Sequence, residues 1–181
     1  IAAMGGAPTG SLMTAALPPE TDEAWAMAVF DGARTAAEQW GGSIVGGDIA
    51  STKTKTLPIF SVTAVGTLYA TAIKRAHAQV GDVIYVTGEI GNSLGGHHLT
   101  FTPRISEAQA LIDSIEIHTM IDISDGLGQD ASHLASARTQ LVIDTAQIPL
   151  RKGATLPEAL SDGEDYELLF TSAMKPPEHL A

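Results

Sequence analysis

The chain has 181 residues, 44 % of them apolar and 17 % charged, and it contains no cysteine. A chain of this length buries about 70 % of its unfolded surface, enough for a core without covalent staples, and the lack of cysteine removes disulfide frameworks, thiolate zinc sites and thiol nucleophiles together. Twenty-one acids against ten bases leave a formal charge of −11, which excludes the basic footprint of a nucleic-acid binder and a polybasic membrane patch.

The opening residues 1–18 are small and apolar, but the first basic residue is Arg34. A signal peptide needs a positive start, and no run of about 18 apolar residues reads as a membrane span. The expected compartment is the cytoplasm. The apolar start at Ile1, with the first methionine at Met4, reads as the interior of a longer polypeptide. The helical pattern at 107–113 runs into the apolar stretch 120–123 with hardly any turn chemistry, which reads as a second dropped segment.

In chain order, residues 11–17 are strand-like and Pro18-Pro19 stops them. Thr21 is placed to cap a helix with Asp22 and Glu23 in its first turn. Trp25, Val29, Ala33, Ala36 and Trp40 recur at helical spacing, so both tryptophans are expected in the core, and Gly41-Gly42 closes the helix. Residues 43–45 read as a short strand ending in Gly46-Gly47-Asp48, followed by a polar Thr/Lys loop at 51–56. Residues 58–68 alternate, with Phe60, Val62, Ala64 and Leu68 on one face, as a half-buried strand does.

Val80-Gly81-Asp82 turns into a strand at 83–86, and a glycine-rich loop occupies 88–96. A helix is expected after Ser106 through Ile112, a strand at 120–124, a turn at Asp125-Gly126 and a helix at 127–137. A strand at 141–144, a short helix at 154–160, an acidic turn at 162–165 and a last strand at 166–171 complete the pattern. Strands and helices alternate irregularly, which favours an α+β or mixed-sheet fold over a doubly wound one. The domain boundary is expected between Tyr69 and Gly81.

Acids gather where strands give way to turns: Asp48 after two glycines, Asp122 and Ser124 two apart on one strand, Asp125 just beyond, and Asp162, Glu164 and Asp165 in another turn. Oxygen-only ligands of this kind suit a hard cation such as Mg²⁺, whereas each acid taken singly reads as a turn former or helix cap. The spacing of Asp122-Ile123-Ser124-Asp125-Gly126 is not that of an EF-hand. The segment Thr87-Gly88-Glu89-Ile90-Gly91-Asn92-Ser93-Leu94-Gly95-Gly96 matches neither dinucleotide-binding nor Walker glycine patterns. Its glycines would present N–H groups to a phosphate if a helix followed, and a plain loop is the favoured reading. His97-His98 are adjacent and form no metal set, while Asp130 and His133 share a helix face, with a structural hydrogen bond favoured. No G-x-S-x-G elbow supports a serine hydrolase.

At Met120-Ile121-Asp122-Ile123-Ser124-Asp125-Gly126-Leu127 the sequence resembles the thiamine-monophosphate kinase family, part of the aminoimidazole ribonucleotide synthetase-like superfamily that includes selenophosphate synthetase and a hydrogenase maturation protein. Gly46-Gly47-Asp48, Gly81-Asp82 with Val86-Thr87-Gly88, and Gly163-Glu164-Asp165-Tyr166-Glu167-Leu168-Leu169-Phe170 agree with it, in order and rough spacing over essentially the whole chain.

The resemblance implies a two-domain α+β fold with mixed and antiparallel sheets flanked by helices. Residues 1–72 would be the remainder of an N-terminal ATP- and metal-binding, dimerisation domain, and 73–181 an incomplete C-terminal α+β domain. It implies transfer of the γ-phosphoryl of ATP to thiamine monophosphate, giving thiamine diphosphate, by direct in-line attack without a phosphoenzyme. By the same resemblance Asp48, Asp122 and Asp125 would hold several Mg²⁺ ions, Gly47, Asp48 and Ser124 would line the nucleotide, Arg75 would reach an ATP phosphate, and Glu164 would contact the thiamine substrate. A homodimer is implied, with the strand at 58–68 a contributor, and neither nucleic acid nor membrane is an expected partner.

The family's N-terminal metal motifs are absent before Ile1, His77 stands where the family usually has glycine, and the interval from Asp48 to Asp122 is short. The 181-residue chain alone is therefore expected to be catalytically inactive. The alternatives are another ATP-using member, such as a selenophosphate synthetase-like protein, and a non-catalytic nucleotide-binding domain of the same fold.

Overall fold

A computed structural model describes residues 1–53 and 57–180. It divides into two compact units, one of residues 1 and 7–67, the other of residues 2–6 and from 68 onward.

In the first unit, strand β1 (Gly6–Leu17) leads into helix α1 (Glu23–Gln39), and strands β2 (Ile44–Ser51) and β3 (Ile59–Leu68) follow. The sheet order is β2-β1-β3, and β1 runs parallel to β2. Parallel neighbours need a crossover, and α1 provides it. Alternation along β1 buries Ser11, Met13 and Ala15 while Leu12 and Thr14 stay exposed.

Asp22, not Thr21, caps α1. Its carboxylate accepts the Trp25 N–H at 2.7 Å, while the Thr21 hydroxyl donates back to the Pro18 carbonyl. The inner face of the helix is Ala26, Val29, Phe30, Ala33, Ala37 and Trp40, rotated by about one residue from the expected stripe. Trp25 is consequently 46 % exposed, with its ring 6.0 Å from that of Phe60. At the C-terminus the Gly42 N–H returns to the Ala37 carbonyl and the Gly41 N–H to that of Glu38, the pairing that glycine at this position permits.

Gly46-Gly47-Asp48 does not end a strand. It lies inside β2, in register with Leu12, Met13 and Thr14 of β1. A Cβ at Gly47 would overlap the Met13 backbone, so glycine here is what lets the two strands approach. β3 is exposed along almost its whole length, with only Phe60 partly covered, contrary to the half-buried strand that alternation suggested. Of the polar loop expected at 51–56, residues 54–56 lie outside the described residues.

The second unit is built on an antiparallel sheet of β4 (Val83–Val86), β5 (Thr119–Asp122) and β6 (Leu168–Ser172), in the order β4-β6-β5. Helix α2 (Ile105–Ser114) precedes β5, and helices α3 (Leu127–Ser132) and α4 (Leu156–Ser161) lie between β5 and β6. All five positions of β6 are buried, as a central strand covered on both faces requires. Leu168 and Phe170 join Met120, Ala108, Leu111 and Ile115 in one cluster, while Leu169 joins Ile121, Ile123, Leu127, Ala131, Leu134 and Ala159 in the other. Each fully buried large aliphatic or aromatic side chain contributes about 1.5–3 kcal/mol relative to exposure, so β6 anchors this unit.

Several element boundaries differ from expectation. Ser106 lies within α2, whose N-cap is Arg104. α3 stops at Ser132, where the N–H groups of His133 and Leu134 fall back on the carbonyls three residues earlier, of Asp130 and Ala131, and their own carbonyls accept the N–H groups of Ala76 and Ala78. Residues 141–144 form no strand. Leu141 and Ile143 do pack on the core, but Val142 is 80 % exposed and no ladder pairs the backbone among the described residues. The passage from α2 to β5 is made by residues 115–118, held by Ser172 Oγ on the Glu116 carbonyl and by the His118 ring on Asp82.

Asp82 closes the turn before β4. Its carboxylate accepts the Gln79 N–H, the Thr171 hydroxyl and His118 Nδ1 at 2.7–2.9 Å. Burial pushes its pKa up, but these three partners outweigh burial and hold it below the usual carboxylate range. A carboxyl whose folded pKa is depressed stabilises above its unfolded pKa and loses that contribution as pH falls through the folded value. Urea midpoints measured between about pH 5 and pH 2 should therefore fall for the wild type and fall less steeply for Asp82→Asn.

Candidate functional site

The site of the second unit is built from two loops that pair backbone to backbone. Beyond the end of β5, the Ile123 N–H donates to the Glu167 carbonyl, the Tyr166 N–H to Ile123 and the Glu164 N–H to Ser124, all at 2.9–3.0 Å. The turn 122–126 and the acidic loop 163–167 are thus held together. One glycine makes this approach possible: a Cβ on Gly163 would overlap the carbonyl of Ser124, whereas one on Gly126 would stand 2.8 Å from the Leu160 carbonyl oxygen at the end of α4. Gly163, Glu164 and Tyr166 all have positive φ, at 71°, 59° and 54°. Non-glycine residues in that region store strain, which is typical of functional loops.

The pairing collects carboxylates. Asp122 is half-buried, and no hydrogen bond or ion pair engages its carboxylate among the described residues. Asp125 is exposed and accepts Gln129 Nε2 at 3.1 Å. Glu164 accepts the Tyr166 hydroxyl at 2.8 Å, and the Tyr166 ring packs on Phe101 with centroids 4.3 Å apart. The hydrogen bond to Glu164, burial and the charges of Glu164 and Asp122 push the Tyr166 pKa up to about 12. Asp130 is 2 % exposed, and burial, with the charges of Asp125 and Asp122, raises its pKa against the pull of two backbone N–H groups. Asp122, Asp125 and Asp130 therefore share one electrostatic environment.

Two ion pairs brace these loops. Glu167, 2 % exposed, takes a fork from Arg104 (Nε at 2.7 Å, Nη2 at 2.6 Å) and the Thr87 hydroxyl at 2.6 Å. Asp165, 1 % exposed, accepts the Gly91 N–H and Arg151 Nη1, and Arg151 also donates to the carbonyls of Glu89 and Gly91. The Ser93 hydroxyl donates to the Glu164 carbonyl. The glycine-rich segment is thus a loop fastened to the acidic loop. Only single 3₁₀ turns, at Ser93–Gly95 and His97–Leu99, follow its first glycines, so it offers no helix N-terminus to a phosphate.

Of the residues singled out in the sequence, Asp122, Ser124, Asp125 and Glu164 stand on these two joined loops. Arg75 is exposed on a segment tied to the end of α3 through Ala76 and Ala78. Gly47 and Asp48 belong to the first unit. Asp48 is exposed on β2 opposite Thr14, beside a shallow depression of about 200 Å³ lined also by Ala16, Ala50, Ile59 and Ser61. Asp130 does not bond the His133 ring. Its carboxylate goes to the N–H groups of Ser124 and Asp125. Sequence reasoning gave no partner to the buried acids Asp165 and Glu167 and assigned no role to Arg104 or Arg151.

Within either unit, no three Asp, Glu or His side chains among the described residues stand close enough to enclose a metal ion. The donors that the 122–126 turn does carry, the carboxylates of Asp122 and Asp125, are oxygen donors of the kind a hard cation takes. No helix among the described residues is long and apolar enough to cross a membrane.

Comparison with known proteins agrees with these motifs. Residues 1–68 match the family described as AIR synthase related protein, N-terminal domain. The thiamine-monophosphate kinase of Rhodopirellula baltica is 37 % identical over 96 % of the chain and 57 % of its own length. That of Haemophilus influenzae is 33 % identical over 99 % of the chain and 61 % of its own length. The crystal structure of thiamine monophosphate kinase from Aquifex aeolicus superposes with a TM-score of 0.78 at 28 % identity, covering 98 % of the chain and 68 % of that structure. The hydrogenase maturation protein HypE, at 18 % identity and a TM-score of 0.76, shares the fold.

These matches and the α+β architecture give the chain the fold of AIR synthase-related proteins. Within that fold its relatives at 30–37 % identity are thiamine-monophosphate kinases. It spans about three fifths of the length of the curated relatives it matches, between 57 % and 61 %.

Proposed function

We propose that this chain forms part of an enzyme that phosphorylates thiamine monophosphate to thiamine diphosphate with ATP. The support is the joining of the 122–126 turn to the 163–167 loop, which sets Asp122, Asp125 and Glu164 on adjacent backbone, in a chain 37 % identical to a thiamine-monophosphate kinase. A relative of the same fold, AaThiL, is known in complex with AMPPCP and TMP, at 26 % identity over the whole of this chain.

In the proposed reaction an oxygen of the thiamine monophosphate phosphate attacks the γ-phosphorus of ATP in line. The bond from that phosphorus to the β,γ-bridging oxygen breaks, and ADP leaves with the electron pair. Asp48, Asp122 and Asp125 would hold Mg²⁺, which when bound screens the facing phosphates and stabilises the charge spreading over the transferred group. Gly47, Asp48 and Ser124 would line the nucleotide, Arg75 would reach one of its phosphates, and Glu164 would meet the cationic thiamine moiety. Positioning and electrostatics supply the catalysis, so no strong base is required.

Residues 1–72 are proposed as the remainder of the ATP- and metal-binding, dimerisation domain and 73–181 as part of the C-terminal domain. The exposed Leu12, Val45, Ile49, Ile59, Val62 and Val65 of the first unit's sheet support a homodimer, since so much apolar surface marks an interaction face. The net charge of −11 suits a cytoplasmic protein whose anionic ligands arrive with cations. The test is calorimetric titration with AMPPCP with and without Mg²⁺. Binding that requires Mg²⁺ is expected; binding indifferent to Mg²⁺, or none by the intact enzyme, would favour the non-catalytic reading.

A further inference from the structure

We infer that Asp130 is a positioning residue for the proposed magnesium site: it sets the Asp122–Asp125 turn without itself holding the ion. The inference rests on the magnesium reading above, and its geometry is independent of it. One carboxylate oxygen of Asp130, Oδ2, accepts both the Ser124 and the Asp125 N–H at 2.9 Å. The side chain comes from the first turn of α3, where Leu127 and Ala131 fix the helix in the core. Consecutive N–H groups pinned to one buried atom leave the 124–125 backbone no freedom to rotate, and so fix where the Asp122 and Asp125 carboxylates start.

The arrangement also has an electrostatic cost. Asp130 brings a third negative charge near Asp122 and Asp125, and each raises its pKa. A charge that opposes its neighbours is retained here for its acceptor geometry. Groups that orient ligands without touching the ion commonly govern affinity nearly as strongly as the ligands do.

Geometry and charge separate in two variants. Asp130→Asn keeps an oxygen able to accept both N–H groups and removes the charge. Asp130→Glu keeps the charge and carries the acceptor one methylene too far. Two readouts are taken on the chain: hydrogen exchange of the Ser124 and Asp125 amides, and the rise in thermal midpoint on titration with Mg²⁺ or Mn²⁺.

Asp130→Asn is expected to exchange like wild type and to need cation concentrations within about threefold of it. Asp130→Glu is expected to exchange at least about tenfold faster at both amides and to need about tenfold more cation. The positioning role is overturned if Asn weakens the cation response as much as Glu while its amides stay protected, because the charge is then what the ion requires. It is equally overturned if Glu leaves both readouts unchanged. Should Asp130→Glu fail to fold, Asn alone decides: a tenfold weaker cation response counts against the role and near-wild-type behaviour supports it. A wild-type chain that ignores both cations overturns the magnesium reading, and the exchange data still decide whether Asp130 holds the turn.

Discussion

Replacing Arg104 by alanine is expected to lower the unfolding free energy by about 3 kcal/mol, because it strands a buried carboxylate. Glu167 is 2 % exposed and receives two guanidinium hydrogen bonds from Arg104. The Thr87 hydroxyl alone would remain to it. Arg104 also bonds Glu107 in the first turn of α2, so its loss loosens the start of that helix as well. Its side chain is 25 % exposed, and water reaching Glu167 in the variant keeps the loss towards the lower end for a broken buried pair. The double variant Arg104→Met/Glu167→Gln removes both charges and should recover most of the stability. Urea denaturation at neutral pH measures both. A loss below about 1 kcal/mol for Arg104→Ala would mean that solvent already screens the pair.

That network also shows where the sequence stopped being informative. The strand after the acidic turn was legible because Leu168, Leu169 and Phe170 form a continuous apolar run, and the core has no other way to bury it. The acids just before it, Asp165 and Glu167, were legible only as a crowded turn. Their partners Arg151 and Arg104 lie 14 and 63 residues away, and no local spacing couples such positions. A signal did exist: in a chain with twice as many acids as bases, carboxylates flanking a buried strand require cations, and few arginines were on offer.

The errors have physical causes of the same kind. Spacing carries the stripe on α1 through Trp25 because tryptophan weighs heavily in an apolar count, yet the one buried residue of the helix is the small Ala26. Residues 141–144 alternate correctly and pack their apolar side chains, but a strand needs a partner edge and none is available to them among the described residues. Glycines usually punctuate, which puts Asp48 at a strand end by sequence alone. At Gly47 the glycine serves strand approach instead. The joining of the 122–126 and 163–167 motifs was suggested only by their joint resemblance to one family. Nothing in either motif alone states that Ser124 and Glu164 share a hydrogen bond.

A glycine of the acidic loop gives the second large effect: Gly163→Ala is expected to destabilise by about 3 kcal/mol, against about 1 kcal/mol for Gly153→Ala, in the turn before α4. Both glycines have positive φ, 71° and 84°, so the conformational cost of an L side chain there is similar. The surroundings differ. At Gly153 the nearest atom to an added Cβ is the end of the Asn92 side chain at 3.6 Å, an ordinary contact, whereas at Gly163 it is the backbone carbonyl of Ser124, which cannot turn aside. The added methyl must therefore force the acidic loop off the 122–126 turn and break the Glu164 N–H bond to Ser124. The cation response should weaken with it, since the carboxylates are held in place by that same backbone pairing. Urea midpoints of the two variants, with Mg²⁺ titrated against thermal midpoint, measure both effects. Equal losses for the two glycines would show that backbone conformation alone sets the cost and that the loops are free to part.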